Sequence, residues 1–95
     1  MKKRRFGSVE AVHLDNAKME EQEAKSELQI SRKKLIAGEC KESLVRLLSA
    51  GVSAGSLAAE LDGAGVSNRK ADPLYLQISK QMARIEKACF NRRRR

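Results

Sequence analysis

Two runs of bases bracket this chain, Lys2, Lys3, Arg4 and Arg5 near its start and Arg92, Arg93, Arg94 and Arg95 at its end. Flexible cationic ends of this kind can lie along phosphates or enter a narrow minor groove, and they also serve simply to keep a small protein soluble. A third set of polar and basic residues falls between them: Arg69, Lys70, Tyr75, Gln77, Ser79, Lys80, Arg84 and Lys87. Gln pairs bidentately with adenine and Arg with guanine, while Lys and Ser reach phosphate oxygens, so this is chemistry suited to a nucleic-acid groove. Tyr75, Gln77, Ser79 and Lys80 stand near the start of a helix and would reach furthest, with Arg84 as a backbone contact. The same residues also fit an ordinary solvated helix face.

The formal net charge of +8 is unevenly spread. Between Phe6 and Ser31 six acids outweigh Lys18 and Lys25, whereas from Ala64 onward the bases face only Asp72 and Glu86. A cationic half of that kind attracts polyanions at long range. Catalytic chemistry is not legible: His13 is the only histidine, no phosphate-cradling glycine loop is present, and the acids from Glu20 to Glu27 fit a solvated helix face. The chain reads as no enzyme, with no cofactor, no metal and no small-molecule substrate. Cys40 and Cys89 lack the Cys-x-x-Cys spacing and read as apolar helix-face residues of a cytoplasmic protein. No secretory leader and no membrane span is expected.

The elements that must position these groups are helices. Phe6, Tyr75 and Phe90 are the only rings, strand-like alternation is missing, and Leu, Ile, Val, Ala and Met supply the apolar side chains. The 95 residues divide into a basic arm over 1–7, a long polar helix over 8–37, a helical domain over 39–90 and a basic tail over 91–95. Ser8 is a candidate cap for the first helix, and Leu14, Ala17, Ala24, Leu28 and Leu35 give it an imperfect heptad seam through Glu21 and Ser31. That seam suits a dimerisation helix or a solvated helix docked on its own domain. Asp72-Pro73 predicts the start of the last long helix, whose stripe is Leu74, Ile78, Met82, Ile85 and Cys89.

Between them, Cys40, Leu44, Leu47 and Leu48 predict the buried stripe of a helix closing at Gly51, and Ser53 predicts the cap of a short helix burying Leu57, Ala58 and Leu61. Val52 and Leu57 occupy the positions of a hydrophobic staple. The run from Leu48 to Val66, with Gly51-Val52-Ser53, Leu57-Ala58-Ala59-Glu60-Leu61 and Gly65-Val66, resembles the helix-turn-helix segments of bacterial, plasmid and phage DNA-binding proteins, including the DNA-binding part of serine recombinases. The connection from Asp62 to Ala71 is longer than a strict member of that class has.

The expectation is an all-α protein: a small helical domain with a helix-turn-helix-like hairpin, a long N-terminal helix and a long C-terminal helix. The leading expectation is a homodimer on double-stranded DNA, acting in transcription regulation or as an accessory DNA-processing factor of a plasmid or phage, and the resemblance brings no catalysis. A helical coiled-coil adaptor working through the first helix is the alternative, and an RNA-binding protein the third.

Overall fold

A computed structural model describes residues 9–90; Lys2–Arg5, the Ser8 cap, and Arg92–Arg95 lie outside the described residues. The described chain is all-helical: α1 (Val9–Ile36), α2 (Cys40–Gly63), a short 3-10 turn (Asn68–Ala71), α3 (Asp72–Ile85) and a π-helical turn (Glu86–Phe90). α1 and α2 form an antiparallel hairpin, and α3 lies across one of its grooves.

Two left-handed glycines make the corners. Gly38 (φ 82°) and Gly65 (φ 75°) are the only positive-φ residues described, and each closes a Schellman motif. Glu39 N–H donates to Lys34 O at 2.8 Å and Val66 N–H to Leu61 O at 2.9 Å. At the second corner Val66 also packs on the core that contains Leu61. At the first, the corresponding side chains are charged, and Lys34 Nζ lies 3.1 Å from Glu39 Oε1.

The expected turn at Gly51 is absent. α2 runs unbroken through Gly51, Val52 and Ser53, and Ser53 is buried inside the helix rather than capping one. The reason lies in the packing. Ser43, Leu47, Ala50, Ala54, Leu57 and Leu61 are all buried, recur at spacings of three and four, and need a straight helix to bury that stripe against α1. The stripe expected from the leucines is therefore rotated: Leu47 is buried, Leu44 is half-buried, and Leu48 is 57% exposed.

The seam of α1 stands largely as read, with Ala17, Ala24, Leu28 and Ser31 buried, but Leu14 is exposed. Its partner is α2 of the same chain. Alanines and serines meet along this seam because small side chains let two helix backbones approach closely. Toward the corner, larger residues take over: Leu28, Leu47, Ala50 and Ile85 form one cluster, flanked by Leu35, Met82 and Cys89. Truncating Leu28 or Leu47 to Ala would cost roughly 2–5 kcal/mol.

Both cysteines depart from expectation. Cys40 and Cys89 are joined in a disulfide, with Cα atoms 6.1 Å apart, because α3 returns its end to the start of α2. α3 itself begins where Asp72-Pro73 predicts, although Asp72 lies in the first turn and makes no side-chain cap; Ser67 Oγ instead accepts from Arg69 N–H and starts the preceding 3-10 turn.

Candidate nucleic-acid interface

α3 is oriented by Leu74 and Ile85, which are buried, and by Ile78 and Met82, which are partly so. Gln81 joins them at 1% exposure, although a glutamine at that position reads as a surface residue in sequence. Its Nε2 donates to Ser31 Oγ at 3.2 Å. Ser31 and Ser43 are fully buried and exchange bonds across the α1–α2 seam. Ser31 Oγ donates to Ser43 O at 2.8 Å or lies 3.1 Å from Ser43 Oγ, and Ser43 Oγ donates to Ser31 O at 2.7 Å. This polar node sets the rotation of α3, and so decides which residues face outward.

With the helix so fixed, Lys80 and Arg84 are exposed on one side of α3, and Lys87 is exposed in the π-helical turn that follows. Gln77 borders them on the α1 side, half-buried, where its Oε1 accepts from Arg32 Nη2 at 3.3 Å. Gln77, expected as a base reader, is thus bonded to an arginine. Arg84 Nη1 donates to Gln81 Oε1 at 3.4 Å, tying the basic side to the buried node. The groove between α1 and α3 carries Lys25, Arg32, Lys33 and Gln77, so α1 adds bases that sequence reasoning left out. Lys33 and Lys34 stand in the last turn of α1, where bases also suit the negative end of the helix dipole.

Tyr75 and Ser79 do not join this set. Tyr75 sits on the α2 side, its hydroxyl donating to Ala54 O at 3.4 Å, and Ser79 lies a quarter-turn from Lys80. Arg69 and Lys70 lie in the 3-10 turn beyond the start of α3, both exposed. Lys70 stands with Lys18 at the mouth of an apolar groove of about 750 Å³ floored by Leu14, Ala17, Leu57, Leu61 and Pro73.

His13 of α1 is half-buried against the end of α2. Its Nδ1 lies 2.6 Å from Glu60 Oε1, and because an ionised carboxylate only accepts, the imidazole donates. This bond, helped by Asn16 and opposed by partial burial, holds the Glu60 carboxyl below its ordinary value of 4.5. The His13 ring lies over Gly63, where an added Cβ would come within 2.7 Å of Nε2. Among the described residues no group of three or more His, Cys, Asp or Glu is placed to hold a metal ion.

α2 also differs from expectation in composition. By length and apolarity alone it could cross a membrane, although 33% of its most apolar window is buried within the fold. Comparison with known proteins finds no family model, no curated protein and no solved structure that matches the chain.

Proposed function

We propose that this protein binds double-stranded nucleic acid, DNA in the first instance, through the phosphate backbone. The supporting observation is the exposure of Lys80 and Arg84 on one side of α3 and of Lys87 in the π-helical turn that follows, beside the Arg32 groove and continuous in sequence with Arg92–Arg95. Phosphate contacts position a protein without reading sequence. With Gln77 engaged by Arg32, the reading favours backbone binding over base recognition, and an accessory or architectural factor over a sequence-specific repressor. Tyr75 and Phe90 are the only Phe, Tyr or Trp side chains among the described residues, and they do not cluster, which disfavours single-strand stacking.

The test is a gel-shift titration at several salt concentrations with duplex DNA, single-stranded DNA and RNA. Duplex binding should weaken with salt, and the Lys80→Ala/Arg84→Ala variant should flatten the log–log slope by roughly 0.9 for each phosphate that is no longer neutralised. Absence of duplex binding at low salt, or a slope unchanged by the double variant, would reject the proposal. A second reading, a helical interaction protein, draws support from the outward side of α2. The disulfide supports an oxidising setting over a reducing cytoplasm for either.

A further inference from the structure

A second seam runs along α2, its Val45, Leu48 and Val52 bordering a groove shared with Glu23 and Glu27 of α1. Lys41, Val45, Leu48, Val52, Gly55, Ala59 and Asp62 alternate at spacings of four and three, and every one of them is exposed. The outward strip of a helix in water is ordinarily polar. Here Val45, Leu48 and Val52 are 49%, 57% and 72% exposed, and no charged residue occurs on any side of the helix from Leu47 to Ala59.

The glycines are a second observation. A glycine inside a helix is unfavourable relative to alanine, so it ordinarily answers to a close approach by a neighbour. At both Gly51 and Gly55 an added Cβ would meet nothing within 4 Å. No neighbour among the described residues requires either one.

We propose that this strip is a homodimer interface, in which α2 packs antiparallel on α2 of a second copy about a two-fold axis beside Val52. The strip's own symmetry selects the occupant. Antiparallel pairing sets Val52 against its counterpart, Leu48 against Gly55, Val45 against Ala59 and Lys41 against Asp62. Each larger side chain meets a small one, and each cation meets an anion, on both sides of the axis. Parallel pairing would instead oppose Lys41 to Lys41, Asp62 to Asp62 and Gly55 to Gly55, joining like charges and leaving a void. A self-complementary patch is what a two-fold interface requires. The exposed bases Lys80 and Arg84 lie on α3 and not on this strip. This pairing leaves the α1 seam with its own α2 and is independent of the nucleic-acid reading.

The experiment is a mass measurement by sedimentation equilibrium on the full disulfide-bonded chain over a concentration series. The expected mass is twice the 10.6 kDa of one chain. Val52→Glu places like charges at the axis on an exposed position, so helicity by circular dichroism should hold while the dimer dissociation constant rises roughly a hundredfold. Lys41→Asp and Asp62→Lys should each weaken the dimer, and combining them should restore it. A chain monomeric throughout overturns the proposal, as does a dimer indifferent to Val52→Glu. Flotation of a monomeric chain with phosphatidylcholine vesicles, abolished in Val52→Glu, would overturn it in favour of a lipid surface.

Discussion

The two ends of the helical hairpin are held by different physics. Near the α1–α2 corner, Leu28, Leu47 and Ile85 pack around the fully buried Ser31–Ser43 pair, Gln81 closes that node, and the Cys40–Cys89 disulfide lies beside it. At the far end the core is mostly alanine, with Ala17, Ala24, Ala54 and Ala71 around Leu57, Leu61 and Leu74. There the helices are joined by His13 and Glu60, which are 33% and 25% exposed, beside the open apolar groove. One end is fastened by a buried polar node and a covalent bond between half-buried cysteines, and the other by a single half-buried pair. Redox conditions and core mutations should therefore act on the first, and pH on the second.

Breaking the corner end should have the largest effect. The disulfide closes a loop with a sequence separation of 49, for which the chain-entropy account gives about 4 kcal/mol. Cys89→Ser, or reduction of the native chain, should lower the denaturation midpoint accordingly and release the π-helical turn first, as read by hydrogen exchange at Ala88–Phe90. Equal stability with and without reductant would show that the bond contributes nothing to this end.

A smaller loss is expected from the polar node. Ser43→Ala removes one of the two reciprocal bonds and leaves the buried Ser31 carbonyl without its side-chain donor, at a cost of roughly 1–3 kcal/mol. Gln81→Leu removes a donor that Ser31 Oγ can do without, because that hydroxyl still donates to Ser43 O. It should cost less, and urea denaturation of the two variants would rank them.

How much of this was legible in the sequence follows from which residues act alone. Gly38 and the Asp72-Pro73 pair act locally, and the elements they bound fall close to where the sequence places them. Gly51 shares its chemistry with Gly38, but a closing glycine needs positive φ, and the unbroken stripe from Ser43 to Leu61 keeps it helical. That stripe was hidden because Ser43, Ala50 and Ala54 alternate in it with Leu47, Leu57 and Leu61, while the sequence pattern points to Leu44 and Leu48. The node and the disulfide depend on pairings between residues remote in sequence, for which no local spacing exists. Of the candidate site, the exposed bases of α3 were legible because their spacing is helical. The Arg32–Gln77 bond was not, because it depends on where α3 docks.

The smallest effect sharpens the contrast at the far end. The depressed Glu60 pKa means its stabilising contribution is complete above the ordinary carboxylate value and is lost as pH falls through the lower folded value. Thermal melts should show that acid-dependent loss in the native chain and a weaker one in His13→Ala. Gly63→Ala, which drives the His13 ring off its place, should behave like His13→Ala despite its higher helix propensity. Identical pH profiles in all three chains would remove the histidine–glutamate pair from the account.

The covalent link between Cys40 and Cys89 has one more outcome. It makes everything from the first turn of α2 to the end of the π-helical turn a closed ring, with Arg69 and Lys70 exposed on its outer edge. A trypsin nick at either residue would open the backbone there yet shed no fragment, so the cut would stay hidden on a gel until a thiol was added.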